Sequence, residues 1–526
     1  MKPRNVADVC MVVEGTYPYL RGGVSSWIHN LIGALPEKTF QILFIGASPQ
    51  VEYKLRYEVP ENVIGIHTVY AQDFREENLH THGPIHGGRK KKKMDWETME
   101  QFHRGIMTCP GVPLWDELYE AAGDPRSRSL SLDDLFTSRR SWDFLNALYH
   151  ESGKDASFVD YFWTWRFSHL SLFQMMQAEL PPARVYHAVS TGYAGFLAAL
   201  AKKRLGVPMI LTEHGIYTRE RSIEIAQAEW IYVEQAQDYK LRRTQGFFKQ
   251  WWINMFRWMS RLTYQEADRI ITITAVNQQF QLGDGAAPDK MSVIPNGIKL
   301  ERYSGARSGP RPEDEFMVGF VGRVVPIKDV KTFIRAVKTA VSEVPNLKAY
   351  IIGPNDEDAE YFAECSRLTA MLGLEDNIVY TGPANVVEYY SRMHLLVLTS
   401  ISEGQPLVIL EGHCAGVPVV ASNVGACQEL IYGRTPEDRA LGASGIVTAV
   451  ASPRETGEAI IRIARDEKLR ASMVRAGIER VERFYKEEDL NRTYLGIYDD
   501  LARQREDPER PATGSHPSNE HDENRS

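Results

Sequence analysis

Two carboxylates in one short stretch carry the clearest chemical signal. Glu403 and Glu411 lie in SEGQPLVILE, which follows the apolar run LLVLTS and is expected to open a helix at Pro406, a residue suited to the first helical position. The backbone N–H groups of Leu407 and Val408 would then lack helical partners, and such a helix N-terminus attracts phosphate. Ionised carboxylates only accept hydrogen bonds, which suits them to sugar or ribose hydroxyls. An exposed acidic turn is the simpler alternative, but Glu411 has apolar neighbours, among which an unliganded charge would be costly.

Two cations are expected at the same sheet edge. Arg323 and Lys328 follow Gly322 at the end of the apolar run FMVGFV. The carboxyl ends of parallel strands share one edge of a sheet, so the arginine fork and the lysine point charge could converge with the glutamates on a diphosphate. Two nearby cations are common in exposed loops, and it is the pairing with the glutamate stretch that supports this interpretation.

The first half of the chain adds a glycine pair and a histidine. Gly22 and Gly23 follow the first predicted strand and precede a helix, where they would let the backbone approach a ligand closely. They do not complete a G-x-G-x-x-G fingerprint, so a nicotinamide site is poorly supported. His214 ends the predicted strand PMILTEH, where ligand crevices form in open α/β sheets. A lone histidine is more often structural, and we assign His169 and His187 to that class.

The elements that must position these residues recur in two series. Short apolar, β-branched runs alternate with helical patterns, which predicts parallel sheets covered by helices on both faces. We therefore expect an α/β fold with two doubly wound domains. The predicted strands are 6–13, 41–47, 183–189, 208–214, 269–274 and 291–297 in the first series, and 316–322, 347–353, 377–382, 395–400 and 418–423 in the second.

The domain boundaries follow from where this alternation stops. A stretch rich in glycine, proline and charge, RYSGARSGPRPEDE, separates the two series, so we expect one domain over 1–308 and another over 309–485. Residues from about 72 to 165 do not keep the alternation, which indicates an insertion in the first domain. An apolar stripe predicts a helix over 486–505, and the remaining stretch, 506–526, has almost nothing to bury and is expected to be disordered.

The composition excludes several classes of protein. The 526 residues include 61 Lys+Arg and 69 Asp+Glu, for a net charge of −8, so no overall basic field would bind nucleic acid. Five cysteines, an odd number without C-x-x-C spacing, favour a reducing compartment over a disulfide scaffold or a zinc site. The amino terminus does not resemble a signal peptide, and no stretch approaches the ~18 apolar residues that span a bilayer. We expect a soluble cytoplasmic protein, with any membrane contact peripheral and at the inner face.

Two other segments allow both a structural and a functional interpretation. Residues 89–93 are all basic and lie near His80, His82 and His86. A solvated loop is favoured there over contact with anionic lipid or a membrane partner, and no cysteine or acidic residue joins the histidines at metal-ligand spacing. The aromatic stretch 247–264 is expected to be buried in the first domain, with docking to a partner or a membrane surface as the alternative.

Four motifs in a fixed order resemble a known family of enzymes. They are TEHG at 212–215, VIPNG at 293–297, Arg323 with Lys328, and Glu403-x7-Glu411. Together they resemble the retaining family-four glycosyltransferases of the GT-B fold, which implies two Rossmann-like domains facing a central cleft. The stretches EGTYPYLRGGVSSWIHNLI at 14–32 and TEHGIYTRER at 212–221 resemble more narrowly the cytoplasmic subfamily of Pel exopolysaccharide synthesis.

The resemblance covers most of the chain outside the insertion and the tail, with one departure. Many relatives continue VIPNG with Val-Asp, whereas this chain has Ile298 and Lys299. We expect this change to affect the domain junction rather than activity. The helix over 486–505 is expected, as in the family, to cross back and brace the first domain.

The resemblance also implies a role for each candidate residue. Arg323 and Lys328 would neutralise a donor diphosphate, Glu411 would bind the ribose hydroxyls, and Glu403 with the following backbone would hold the donor sugar and its phosphates. The histidine would contact the sugar near its reacting face, and the glycine pair would close over the diphosphate and acceptor. The residues so assigned are His214, Arg323, Lys328 and Glu403 for catalysis, and Gly22, Gly23, Gly322, Arg323, Lys328, Glu403, Gly404, Gln405, Pro406, Leu407, Val408 and Glu411 for donor binding.

The implied reaction transfers a hexose or N-acetylhexosamine from a UDP-sugar to a growing exopolysaccharide of the biofilm matrix. It would proceed with retention and without a metal or other cofactor, beside membrane-embedded synthesis and export proteins. A catalytically silent sugar-nucleotide-binding scaffold of such a complex is the alternative from another class. A glycan phosphorylase with a pyridoxal-phosphate lysine is the alternative among enzymes. The sequence leaves the sugar, the nucleobase, the linkage and the oligomeric state open.

Overall fold

The structure, a computed structural model, describes residues 6–72, 96–108, 114–129, 132–153, 156–227 and 239–506. The chain divides into two compact units: unit 1 comprises 1–271, 280–292 and 493–526, and unit 2 comprises 272–279 and 293–492. The basic run, the three histidines near it and the tail beyond residue 506 lie outside the described residues.

A parallel-stranded sheet forms the base of unit 1. In the described ranges its strands are β1 (Ala7–Glu14), β2 (Phe40–Gly46), β3 (Val63–Tyr70), β4 (Ala183–Ala188), β5 (Met209–Glu213), β6 (Arg269–Thr272) and β7 (Met291–Val293). They lie in the order β3-β2-β1-β4-β5-β6-β7, and β1 runs parallel to both of its neighbours. Every residue of β2 is buried, which is why this strand is apolar in the sequence except for Gln41. The sequence prediction missed β3, an edge strand whose residues are all partly exposed.

Helices pack around this sheet. They are α1 (Gly23–Ala34), α2 (Trp96–Thr108), α3 (Trp115–Leu118), α4 (Leu132–Thr137), α5 (Arg139–Leu148), α6 (Phe158–Met176), α7 (Gly192–Leu205), α8 (Tyr217–Gln227), α9 (Tyr239–Glu266) and the part of α10 (Ala275–Gly283) from Phe280 onward, its earlier residues belonging to unit 2. The described part of the predicted insertion, between β3 and β4, is helical. Helix α6, which begins inside the predicted insertion, continues past residue 165 to Met176. Phe102 and Trp165 of this segment share one apolar cluster with Val12 of the sheet.

The aromatic stretch at 247–264 is part of the core of unit 1, as expected. Trp251 and Trp258 of α9 are fully buried. The helix packs very closely against α7, because a Cβ atom built on Gly195 would lie 2.2 Å from the hydroxyl oxygen of Thr263. Glycine at that position is therefore required by the approach of the two helices.

Unit 2 contains a second, entirely parallel sheet. In the described ranges its strands are β8 (Phe316–Val321), β9 (Leu347–Ile352), β10 (Ile378–Gly382), β11 (Leu395–Leu398), β12 (Val419–Ser422) and β13 (Gly445–Thr448), in the order β10-β9-β8-β11-β12-β13. Its helices are α11 (Leu300–Ser304), α12 (Val330–Val341), α13 (Ala359–Met371), α14 (Val386–Tyr390), α15 (Leu407–Cys414), α16 (Cys427–Tyr432), α17 (Pro436–Arg439), α18 (Pro453–Arg465) and α19 (Glu467–Phe484). The last helix, α20 (Glu487–Glu506), begins in this unit, and its residues from Thr493 onward belong to unit 1.

The division between the units lies earlier than residue 308. Residues from Val293 belong to unit 2 because their side chains bond to that unit. The Tyr303 hydroxyl donates to Glu411 at 2.9 Å, and Arg307 donates to the carbonyl oxygen of Cys414 at 2.7 Å. The stretch RYSGARSGPRPEDE, interpreted as a linker from its composition, is thus anchored to the second unit.

Candidate functional site

A lysine and a glutamate from two separate loops meet at the carboxyl edge of the second sheet. Lys328 ends a short 3-10 turn after β8, and Glu403 follows β11. The Lys328 Nζ atom lies 2.5 Å from Glu403 Oε1, and the Ser400 hydroxyl donates to the same oxygen at 2.6 Å. The two side chains are 24% and 13% exposed, so this ion pair is only partly screened by solvent. Lys328 and Glu403 are far apart in the chain, and they meet because the carboxyl ends of parallel strands lie at one edge of the sheet.

The backbone on both sides of this ion pair is held in place. The Thr399 hydroxyl donates to the carbonyl oxygen of Lys328 at 3.2 Å and to that of Asp329 at 2.9 Å. Asp329 has φ 44°, a left-handed conformation unusual outside glycine, and its side chain caps α12 by accepting from the Thr332 N–H. These contacts fix the direction from which the lysine reaches Glu403.

Arg323 forms an ion pair of its own, outside the contact of Lys328 with Glu403. Its guanidinium pairs with Glu357 at 2.6 Å, and both side chains are about half exposed, at 52% and 46%. An ion pair this exposed contributes about 0–1 kcal/mol. The arginine is therefore a cation at the end of β8 that an anionic ligand could recruit at little cost.

The turn after Glu403 is shaped by a glycine that the sequence analysis did not single out. Gly425 has φ 49°, and a Cβ atom on it would lie 2.2 Å from the carbonyl oxygens of Glu403 and Gly404. The Ala426 N–H donates to the Gly404 carbonyl oxygen at 2.8 Å. A residue with a side chain at position 425 would displace the turn at Glu403 and Gly404. The glycine therefore determines the position of Glu403.

Gln405 links the same turn to the VIPNG motif. Its Oε1 accepts from the Asn296 N–H at 2.6 Å, and its Nε2 donates to the Asn296 carbonyl oxygen at 3.1 Å. This reciprocal pair commits the Gln405 side chain to the protein itself. The ligand contact that the family resemblance implies for Gln405 is through its backbone, which these side-chain bonds hold in place.

Helix α15 begins at the predicted place, within one residue. Pro406 is its N-cap rather than its first residue and supplies no side-chain hydrogen bond, and Leu407 opens the helix. The N–H of Ile409 bonds back to the Pro406 carbonyl oxygen at 3.1 Å, so the N–H groups of Leu407 and Val408 precede the first helical hydrogen bond. An anion is favoured at such a helix end by the donors and the helix dipole.

Glu411 lies one helical turn further along α15, between two tyrosines. The Tyr303 hydroxyl donates to Oε1 and the Tyr390 hydroxyl to Oε2, each at 2.9 Å. Burial, followed by the adjacent carboxylate, raises the pKa of both phenols. The tyrosines therefore remain protonated donors at every physiological pH.

Of the other candidates, Gly322 follows β8 in unit 2, whereas His214, Gly22 and Gly23 belong to unit 1. His214 follows β5, and the Trp27 ring of α1 meets it edge-on, with 4.6 Å between ring centroids. Gly22 and Gly23 are exposed at the start of α1, and in the described part of the chain no atom beyond the adjoining residues and the helix's own backbone lies within 4 Å of a Cβ atom built on either. Protein packing therefore does not explain why glycine occupies these two positions.

The two histidines assigned to structural roles are buried. His187 bonds to the Tyr498 hydroxyl at 2.7 Å and to the Thr212 hydroxyl at 2.8 Å, and burial lowers its pKa to about 3. His169 bonds to His103 at 3.3 Å inside the helical segment, and burial lowers its pKa to about 3 as well. Both are neutral, hydrogen-bonded core residues.

A buried acid beside His214 was missed in the sequence. Glu213 is 1% exposed, and its carboxylate accepts from the Tyr217 N–H at 3.1 Å, the Tyr264 hydroxyl at 2.8 Å and the Gln281 amide at 2.9 Å. Burial raises its pKa to about 7, although the three hydrogen bonds oppose the shift. A charged residue inside an apolar strand run is the signal that could have identified it.

The described residues contain neither a metal-ligand cluster nor a membrane-spanning helix. Across the described ranges, no group of three or more His, Cys, Asp or Glu residues is arranged to share a metal ion. In the same part of the chain, no helix combines the length and the apolar composition needed to cross a membrane.

The second half of the chain is similar to known glycosyl transferases. Residues 306–480 match the family model for glycosyl transferases group 1. The chain is 30% identical over 255 residues to a D-inositol 3-phosphate glycosyltransferase of Acidothermus cellulolyticus, an alignment that covers 45% of this chain and 54% of the relative. The chain thus spans about half the length of this relative. Unit 2 therefore carries a group 1 glycosyl transferase domain.

Solved structures support the same fold over almost the whole chain. HepE from Anabaena, crystallised with UDP and glucose, is 14% identical, with a TM-score of 0.53 and coverage of 94% of this chain and 99% of that one. Sucrose-phosphate synthase from Thermosynechococcus elongatus is 17% identical, with a TM-score of 0.53 and coverage of 94% and 98%. The predicted α/β fold class, with two Rossmann-like domains of the GT-B type, is confirmed.

The family of the chain is given by its first half. Residues 7–289, more than half of the sequence, match the model described as Domain of unknown function (DUF3492). The chain belongs to this family.

Proposed function

We propose that this protein transfers a hexose or N-acetylhexosamine from a UDP-sugar to a polysaccharide acceptor, with retention and without a metal. The contact of Lys328 with Glu403 beside the start of α15, inside a group 1 glycosyl transferase domain, is the observation that carries the proposal. This contact would supply a cation for phosphate and a carboxylate for hydroxyls close to the helix-end amides.

The proposed reaction needs a stabilised leaving group. The bond between C1 of the sugar and the diphosphate oxygen breaks, and its electron pair stays on UDP. Lys328, Arg323 and the amides of Leu407 and Val408 would stabilise the negative charge that develops there. The acceptor oxygen forms the new bond to C1 on the same face, and its proton passes to a donor phosphate oxygen. The step requires no oxidant, no reductant and no base besides that phosphate oxygen.

The remaining residues would hold the sugar. Glu403 would accept hydrogen bonds from the donor sugar hydroxyls, and its pairing with Lys328 and Ser400 keeps the carboxylate in one orientation. His214 would contact the sugar near its reacting carbon. Gly22 and Gly23 would let the backbone of α1 approach the diphosphate and the acceptor, which is consistent with the open space around both.

We further propose a role of the PelF type in exopolysaccharide synthesis. The support is the resemblance of stretches 14–32 and 212–221 to that subfamily. The protein would then act in the cytoplasm beside membrane-embedded synthesis and export proteins and contribute to a biofilm matrix. Cys10, Cys365, Cys414 and Cys427 are buried free thiols, which is consistent with a reducing compartment.

The test is release of UDP from a panel of UDP-hexoses and UDP-N-acetylhexosamines, with and without acceptor oligosaccharides. The name of the curated relative adds inositol 3-phosphate to the acceptor panel. We expect turnover with at least one donor in the presence of EDTA, and at least about tenfold lower turnover in Glu403→Gln. Glu364→Gln is the matched control, because Glu364 pairs with Lys331 at 2.5 Å, as Glu403 does with Lys328.

The alternatives give different results in the same experiment. A silent scaffold would bind UDP-sugars and release no UDP from any of them. A glycan phosphorylase would release sugar phosphate with orthophosphate and show the absorbance of a lysine-bound pyridoxal phosphate.

A further inference from the structure

Two tyrosines from different helices hold the Glu411 carboxylate from both sides. Tyr303 lies on α11 and donates to Oε1, whereas Tyr390 ends α14 and donates to Oε2. Both distances are 2.9 Å, and both acceptors are on the same side chain in the middle of α15. The carboxylate is thus fixed both in position and in rotation about its terminal bond.

The tyrosines are themselves immobilised by packing. Tyr390 is fully buried and Tyr303 is 4% exposed. Their rings meet edge-on, with centroids 6.1 Å apart and an angle of 75° between the ring planes. Because the rings cannot turn away, the two hydroxyls remain aimed at the carboxylate, and little rotational entropy is left for a ligand to remove.

The number of acceptor positions left on the carboxylate matches a vicinal diol. An ionised carboxylate offers about four acceptor positions, two on each oxygen. The two tyrosine bonds use one position on each oxygen and leave one on each. Glu411 itself is only partly buried, so the remaining positions can face a ligand.

We infer that Tyr303 and Tyr390 are positioning residues that set Glu411 to accept both hydroxyls of a ribose 2′,3′-diol. The inference rests on the proposed function, in which Glu411 binds the nucleotide of a UDP-sugar. The tyrosines do not touch the ligand, and they act through the orientation of the carboxylate. The two tyrosines would thereby determine how strongly the protein prefers ribonucleotides to nucleotides that lack these hydroxyls.

The test compares calorimetric affinities for UDP and 2′,3′-dideoxy-UDP in the full-length protein. Two hydrogen bonds to a carboxylate predict that the wild type prefers UDP by roughly 30-fold or more. Tyr303→Phe and Tyr390→Phe each remove one hydroxyl and no ring, and each should lower this ratio by about three- to tenfold. Affinity for the dideoxy nucleotide should change less than about twofold, because it makes no bond to Glu411.

Two controls separate positioning from folding. Tyr389→Phe alters the neighbouring phenol of α14, whose ring packs on Tyr350, and should leave the ratio unchanged. Glu411→Ala should abolish the preference, and the double tyrosine variant should approach that result. If the tyrosines had a purely structural role, each variant would bind both nucleotides more weakly and the ratio of the two affinities would stay the same. Tyr303→Phe alone can decide the question if Tyr390→Phe fails to fold.

The outcomes are distinguishable from failure of the proposed function. A wild type that binds no UDP contradicts the proposed function and this inference together. A wild type that binds UDP, with a ratio unchanged within about twofold in both tyrosine variants, overturns the inference alone.

Discussion

Replacing Arg480 by methionine should destabilise unit 2 strongly. Arg480 of α19 is fully buried, and its guanidinium lies 2.6 Å from the carboxylate of Asp438, which is 2% exposed. The same guanidinium donates to the carbonyl oxygen of Ile431 at 2.8 Å, to the Ser444 hydroxyl at 2.9 Å and to the carbonyl oxygen of Gly442 at 2.8 Å. Methionine fills much of the volume and offers none of these donors.

The size of the effect follows from what remains buried. Removing one partner of a buried ion pair costs about 3–5 kcal/mol, because the other charge is left uncompensated. Loss of the Arg480 donors to the carbonyl oxygens of Ile431 and Gly442 adds to this cost, so we expect a loss of at least about 4 kcal/mol. For a unit of this size, that corresponds to a fall in melting temperature of roughly 8–16 °C. Arg480→Met with Asp438→Asn should recover part of the loss by removing the buried charge.

The assay must report on unit 2 specifically. All ten tryptophans lie in unit 1, so tryptophan fluorescence does not report directly on the second unit. Scanning calorimetry reports on the unfolding of unit 2 when it is combined with proteolysis mapped by mass spectrometry. Arg483→Met is the matched control in the same helix, because Arg483 is half exposed and pairs with Glu479 at 3.1 Å. A difference below about 1 kcal/mol between the two variants would refute the reasoning.

Three further predictions concern the site and the elements around it. The folded pKa of Glu213 is raised to about 7, so its contribution to stability is present below about pH 4.5 and is lost, by about 3 kcal/mol, as pH rises to 7. Glu213→Gln should remove this dependence, and melting temperatures at pH 5 and pH 8 check it. Gly425→Ala should weaken UDP binding by at least about tenfold, whereas Gly442→Ala, which also has positive φ but open space around it, should not; calorimetric titration decides. His214→Ala should lower kcat more than UDP affinity, and equal small effects on both would contradict its assigned role.

The sequence predicted most strands because their burial leaves a strong pattern. Strands covered on both faces, such as β2, are almost entirely apolar, and that is visible without a structure. The exposed edge strand β3 and the four-residue β13 leave no such pattern and were not predicted. The described contacts divide the chain before the boundary predicted near residue 308, because Arg307 and Arg311 bond to backbone carbonyls of unit 2 in a stretch whose glycine and charge favour a linker by composition.

The site was predictable where topology decides the outcome. Lys328 and Glu403 each follow a parallel strand, so a single rule about sheet edges brings them together. The tyrosines that hold Glu411 come from short helices with no periodic signal, and the partner of Arg323 comes from a loop after β9. Contacts of that kind depend on how loops pack, which residue spacing does not encode.

Nucleotide binding in EDTA tests the central claim most directly. Isothermal calorimetry with UDP, GDP and ADP should show saturable UDP binding to the full-length protein. Arg323→Ala and Lys328→Ala should each weaken it by at least about tenfold, as expected for a charge-assisted contact to phosphate, whereas Lys331→Ala, three residues further on, should not. Failure of the folded protein to bind any nucleotide, or UDP binding that both variants leave intact, would contradict the account.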